Sequence, residues 1–107
     1  MRKFDIVDGR IDPDWMEGFE AHRFDLAEAA QFITETLPAM ADLLGGDVAV
    51  EELPAGDGTG PRTMVVITPP PQKSFRHVLT VIRQDLWLNK MFVGPDQQDR
   101  WTFVVGD

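Results

Sequence analysis

The chain has no cysteine, and this absence excludes several kinds of chemistry. Disulfide bonds, thiolate catalysis and cysteine-ligated zinc all require that side chain. Only two histidines, His22 and His77, and one serine, Ser74, are present. Ser74 stands three residues from His77, a spacing that does not readily permit a catalytic triad. We therefore predict no catalytic residue, no metal site and no cofactor, and expect a protein that is not an enzyme.

Long apolar runs are also missing. No run approaches the roughly 20 apolar residues that a membrane-spanning helix needs. The N-terminal stretch MRKFDIVDGR has no apolar segment of the kind found in secretory signals. These observations predict a cytoplasmic protein without a membrane partner. The 107 residues, 43% apolar and 26% charged, predict one globular domain over residues 1–107.

Basic residues are scarce in the first half of the chain. The net charge is −8; residues 1–57 hold 14 Asp and Glu against 4 Lys and Arg, whereas residues 58–107 hold 4 against 6. Such a charge distribution repels phosphate backbones and attracts basic surfaces. It therefore predicts a basic protein partner and no direct contact with nucleic acid. Acidity that serves solubility alone is the alternative.

The first 20 residues contain a turn signal and a helix start. Asp8-Gly9 lies between short apolar alternations and indicates either a type I′ hairpin turn or a strand that ends in a loose turn. Asp12 followed by Pro13 is typical of a helix N-terminus, with the aspartate as the cap. Gly18 is predicted to end this helix after about one turn.

A longer helix is predicted to begin after Asp25. Asp25 and Glu28 have the spacing of a capping box. Apolar residues then recur at steps of three and four over residues 26–44, and a Gly-Gly pair follows as a stop signal. Pro38 cannot donate a backbone hydrogen bond, so we expect it to kink or split the helix.

The remaining chain reads as strands with short connections. Five strands are expected, at residues 47–53, 63–68, 75–83, 86–93 and 100–105. Short connections favour antiparallel neighbours. The predicted fold class is α+β, a single domain in which one kinked N-terminal helix packs across an antiparallel β-meander of about five strands. This order of elements resembles that of cystatin-like architectures.

Residues 75–86 fit two interpretations. Phe75, Val78, Leu79 and Ile82 recur at helical steps, with Ser74 as a suitable N-cap. The β-branched residues in this segment, and a turn-like Gln-Asp pair near its end, favour a strand instead. We predict a strand for this segment.

A cluster of carboxylates in the first helices is the predicted partner-binding surface. Its members are Asp14, Glu17, Glu20, Glu28 and Glu35, with Trp15 among them. Aromatic residues are enriched in the centres of interfaces, and charged residues form the rims. Trp15 and the nearby Phe19 could instead belong to the core.

Two classes of function remain. The first is an acidic protein-binding module, such as an inhibitor, immunity-type protein or adaptor, that engages a basic surface on a toxin, nuclease or nucleic-acid-binding complex. The second is a small-molecule-binding or enzymatic domain with a pocket between helix and sheet, lined by His77, Arg83 and Trp87. A homo-oligomer formed through sheet edges is a further alternative.

Overall fold

A computed structural model describes residues 3–86 and 92–106 as a mixture of helices and antiparallel strands. The elements in chain order are β1 (Ile6–Val7), β2 (Arg10–Ile11), α1 (Pro13–Ala21), α2 (Leu26–Gln31), a π-helical turn (Phe32–Thr36), α3 (Leu37–Leu43), β3 (Asp47–Leu53), β4 (Arg62–Thr68), α4 (Lys73–Leu86), β5 (Phe92–Val93) and β6 (Trp101–Gly106). The α+β class is confirmed. Among the described helices, none has the length and apolar character needed to cross a membrane.

The first hairpin and helix start follow the local signals. Asp8 and Gly9 have positive φ angles of 54° and 73°, as a type I′ turn requires, and β1 pairs with β2 across them. The Asp12 carboxylate accepts a hydrogen bond from the Asp14 backbone N–H at 3.3 Å. This contact caps α1 in the predicted way.

The predicted end of α1 at Gly18 is wrong, because the helix continues to Ala21. Trp15 and Phe19 lie one turn apart and are only 2% and 0% exposed. Burying large apolar side chains stabilises by about 1.5–3 kcal/mol each. A glycine inside a helix costs only about 0.5–1 kcal/mol, so burial outweighs the local stop signal.

Both ends of the second helical segment follow the sequence. The Asp25 carboxylate accepts a hydrogen bond from the Glu28 backbone N–H at 2.8 Å. At the other end Gly45 has a φ of 89°, and the Gly46 N–H donates to the Ala41 carbonyl at 2.8 Å. This pattern is a Schellman motif, which explains why the Gly-Gly pair stops the helix.

The disturbance expected near Pro38 takes the form of the π-helical turn. In it the Leu37 backbone N–H donates to the Phe32 carbonyl, five residues earlier. Pro38 has no N–H to continue the α-helical pattern, and the wider turn ends at Thr36, two residues before it. Phe32 and Leu37 are both buried, so the chain passes the proline without turning its apolar stripe away from the core.

The main sheet has the strand order β3-β4-β6-β5, and every neighbouring pair is antiparallel. The predictions of strands at residues 47–53, 63–68 and 100–105 are confirmed. The predicted five-strand meander is wrong, since residues 75–83 belong to α4. Residues 87–91 of the fourth predicted strand lie outside the described part of the chain, and β5 covers Phe92–Val93.

Burial explains why residues 73–86 form a helix. The side chains of Phe75, Val78, Leu79 and Ile82 are all 0% exposed. A strand would turn alternate residues to opposite faces and could not bury all four on one side. The weak helix propensity of β-branched residues costs only a few tenths of a kcal/mol each, less than this burial gains. With α4 between two strands, the order of elements differs from the cystatin-like one.

The helices cover one face of the main sheet. On β4, Val65 and Ile67 are 0% exposed and join the same apolar core as the helix side chains, whereas Val66 between them is partly exposed. On β6, Phe103 lies opposite Val65 and is equally buried. The opposite face of the sheet, which we call the open face, therefore presents partly exposed side chains to solvent.

Two leucine substitutions test the assignment of α4. Leu79→Ala should lower the free energy of unfolding by about 2–5 kcal/mol, because it removes buried methyl groups and leaves a cavity. Leu43→Ala, at a helical position that is 65% exposed, should cost less than about 1 kcal/mol. Urea unfolding followed by circular dichroism measures both. Equal losses would show that α4 does not pack into the core in this way.

Candidate functional site

Helix α1 turns its carboxylates outward and its aromatic rings inward. Asp14 and Glu17 are exposed, and Trp15 is only 2% exposed. The Trp15 ring stacks on Phe19 with a centroid distance of 5.1 Å and an interplanar angle of 7°. Both aromatic residues therefore belong to the core, and Trp15 is not exposed on the predicted partner-binding surface.

Two other predicted carboxylates have histidine partners. Glu20 Oε1 lies 3.0 Å from His77 Nε2, a contact that joins α1 to α4. Glu28 Oε2 lies 2.8 Å from His22 Nε2, and the His22 ring meets Phe24 edge-on at 4.6 Å. Glu20 and Glu28 are therefore surface groups that also hold neighbouring segments, so replacing them would disturb more than surface charge.

Glu35 lies on the π-helical turn beside a small aromatic cleft. Its carboxylate accepts a hydrogen bond from Gln31 Nε2 at 3.1 Å. The cleft has a volume of about 340 Å³ and is lined by Lys3, Phe4, Trp15, Phe32, Glu35, Thr36 and Ala39. Its apolar floor and its charged residues are features of small-molecule sites, and its volume is near the lower end of their usual range.

The pocket expected between helix and sheet is not formed by His77 and Arg83. Both side chains are exposed on α4, which is a helix and not the predicted strand. At 3.6 residues per turn, positions six residues apart point about 120° away from each other. His77 is directed to Glu20 of α1. Trp87, the third predicted lining residue, lies outside the described residues.

Two of the six basic residues in the second half of the chain, Arg76 and Arg100, form ion pairs with carboxylates of the same half. Arg76 Nη1 donates to Asp99 Oδ1 at 3.1 Å, and its Nη2 donates to Asp99 Oδ2. Arg100 Nε donates to Asp96 Oδ2 at 2.8 Å. The hydrogen bond from Arg76 holds the pKa of Asp99 below its usual value, and the Arg100 backbone N–H does the same for the pKa of Asp96.

Strand β3 is an acidic edge of the main sheet. Among the strands that the structure describes, its one neighbour is β4, with which it pairs over all seven residues. Asp47 and Glu51 stand opposite Thr68 and Met64, which places both carboxylates on the open face. A shallow cleft of about 350 Å³ on this face includes Asp47, Glu51 and Arg100 in its lining.

The site predicted from the sequence did not include this edge. The sequence does indicate an acidic strand there, because three carboxylates and no basic residue occur within residues 47–53. On the predicted surface of α1 and the π-helical turn, Asp14, Glu17 and Glu35 are exposed.

Within the described residues, no three side chains of His, Asp or Glu gather in a way that could hold a metal ion. Comparisons with protein-family models, curated proteins and solved structures find no match.

The Arg76–Asp99 pair predicts a pH-dependent contribution to stability. The lowered pKa of Asp99 means that the folded state favours its charged form, so the contribution is present above the ordinary carboxyl pKa of 3.8 and is lost as pH falls through the lower folded value. Asp99→Asn should reduce the free energy of unfolding at pH 7 by at most about 1 kcal/mol, since the pair is exposed. Asparagine tolerates the positive φ of 60° at this position.

Urea unfolding at pH 7 and at pH 2.5 measures this difference. The loss caused by Asp99→Asn should shrink at the lower pH, because the contribution of the charged carboxylate is lost as pH falls through its lowered pKa. Asp57→Asn, in the exposed loop between β3 and β4, is the matched control and should change little at either pH. An equal loss from Asp99→Asn at both values of pH would contradict the ion-pair explanation.

Proposed function

We propose that this chain is a non-enzymatic protein-binding module, such as an inhibitor, immunity-type protein or adaptor, that engages a basic protein surface in the cytoplasm. The partner would be a toxin, a nuclease or a nucleic-acid-binding complex. One observation carries the proposal: the first half displays exposed carboxylates, whereas Arg76 and Arg100 of the second half are paired with carboxylates of their own half. Residues 1–57 have a net charge of −10 and residues 58–107 one of +2, so the surplus of −8 comes entirely from the first half.

Charge of this kind supports a protein partner through long-range attraction. A surface of one sign steers an oppositely charged partner into contact and repels partners of its own sign. Nucleic acid carries the same sign as this surface, whereas proteins that handle nucleic acid present basic surfaces that complement it. A basic protein is the partner class that fits both conditions.

The helical surface is also rigidly supported. The rings of Trp15 and Phe32 stack with a centroid distance of 6.4 Å and an interplanar angle of 12°, which joins α1 to the π-helical turn. Asp14 and Glu17 lie on the outside of one element, and Glu35 lies on the outside of the other. A surface held in place before binding loses less conformational entropy when a partner docks.

Charge reversal tests the proposal once a partner has been captured from native lysate and purified. Asp14→Lys with Glu17→Lys should slow association, because it removes attraction without touching the core. The effect should be largest at 0.01 M salt, where the Debye length is about 30 Å, and smaller at 0.15 M, where it is about 8 Å. Stopped-flow or surface plasmon resonance measurements give the association rates.

The matched control is Asp42→Lys with Asp57→Lys, which changes the net charge by the same amount at exposed positions elsewhere. This control should slow association less than the double substitution on α1 does. The proposal would be contradicted if the association rate changed neither with salt concentration nor with either double substitution. That result would show that the acidity serves solubility.

The alternative function, small-molecule binding or catalysis, is favoured by one observation, the aromatic cleft lined by Phe4, Trp15 and Phe32. This cleft replaces the pocket expected around His77 and Arg83. Amide chemical-shift changes confined to the cleft on addition of a planar aromatic ligand would favour it. Changes spread over the surface, or none, would leave the protein-binding function as the better explanation.

A further inference from the structure

We propose that the basic partner contributes an extended segment that adds to the free edge of β3 and lengthens the main sheet by one strand. This inference rests on the proposed function and names the mode of contact. The proposed function requires only attraction between charged surfaces, whereas this inference adds backbone hydrogen bonds at the edge of β3.

The edge of β3 has the geometry that strand addition needs. All seven of its residues are in register with β4, so its backbone is held extended along its whole length. An edge strand presents a row of N–H and C=O groups on its outer side, ready to pair with another chain. No proline or glycine interrupts it, since Gly46 precedes it and Pro54 follows it. In the described part of the chain, the strand at the opposite edge, β5, covers Phe92–Val93.

Charge complementarity identifies the occupant as basic. Asp47 and Glu51 lie on the open face, and Glu52 lies on the other face, where it accepts a hydrogen bond from Thr63 Oγ1 at 3.0 Å. All three carboxylates are on exposed residues. Opposite charges on directly paired strands attract, and like charges there repel. An added strand with basic residues across from these positions would match the edge.

The apolar residues of β3 complete the recognition pattern. Val48 and Val50 share the face that carries Glu52, and Val50 is 56% exposed although Val65, its partner on β4, is buried. An added strand would bury Val50 beneath an apolar residue of its own. The expected partner segment therefore has basic residues four positions apart, with apolar, small and apolar residues between them.

A second copy of this chain fits the edge poorly. Antiparallel pairing of two β3 strands about Val50 would bring six carboxylates onto neighbouring strands and place the two Glu51 side chains diagonally across the contact. Like charges at such positions repel, most strongly at low salt. Strand β3 therefore resists pairing with itself while it remains open to a basic segment.

A synthetic peptide tests the mode of contact on the whole chain. The probe is an acetylated and amidated hexapeptide of lysine, lysine, valine, serine, valine and lysine, designed to pair antiparallel to β3. Titration at 0.01 M salt, followed by amide chemical shifts, should move resonances of β3 and give a dissociation constant. A scrambled peptide of the same composition should bind more weakly by about tenfold, because it misplaces both charged and apolar residues.

Backbone methylation separates strand addition from simple charge attraction. Alternate N–H groups of a strand point to opposite sides, so the peptide has two isomers in which either the odd or the even residues are N-methylated. Strand addition predicts that one isomer loses binding while the other retains much of it. Equal binding by both isomers would overturn the inference, because attraction between charges does not depend on which amides are blocked.

Two charge variants distinguish this inference from the function on which it rests. Asp47→Lys with Glu51→Lys should weaken peptide binding by about tenfold or more, whereas Asp14→Lys with Glu17→Lys, with the same change in net charge, should have a smaller effect. The captured natural partner should show the same preference in its dissociation constant. If that partner responds to the α1 variant and not to the β3 variant, this inference fails and the proposed function stands. If it responds to neither, the proposed function fails as well.

Discussion

The stacking of Trp15, Phe19 and Phe32 is the interaction on which the arrangement of the first helices depends. The Phe19 and Phe32 rings lie 5.4 Å apart, and Trp15 stacks on both. Because these rings are buried together, α1 continues past Gly18 and packs against the π-helical turn. Because the rings occupy the inner side of α1, its carboxylates are left on the outer side. Packing and surface charge here are two results of one helical periodicity.

Local signals predicted local structure well. The Asp8-Gly9 turn, the Asp12 and Asp25 caps and the Gly-Gly stop depend on hydrogen bonds or φ angles within a few residues, so the sequence around each position contains the necessary information. The same holds for β3 and β4, which are flanked by glycines and prolines. Exposed carboxylates such as Glu17 and Glu35 were also predictable, since they fall off the apolar stripe.

Features decided by tertiary contact were not predictable in this way. Residues 75–86 fit both periodicities, and the helix follows from the chance to bury Phe75 and Ile82 on one side. The contact between Glu20 and His77 joins positions 57 residues apart and has no local signature. The position of β3 at a sheet edge depends on the strand order. In that order β6 pairs with β4, although α4 separates the two strands in the sequence.

That strand order also has a consequence during protein synthesis. β4 pairs with β3 on one side and with β6 on the other, and Val65 meets Phe103 across the second contact. As the ribosome extends the chain, β4 is synthesised before β6, because α4 lies between these two strands in the sequence. Until β6 emerges, the nascent hairpin of β3 and β4 has two unpaired edges and an incomplete apolar face, which is a state prone to aggregation. A ribosome that pauses before residue 101 would prolong that state, so a chaperone would protect the chain most in the interval between the synthesis of β4 and that of β6.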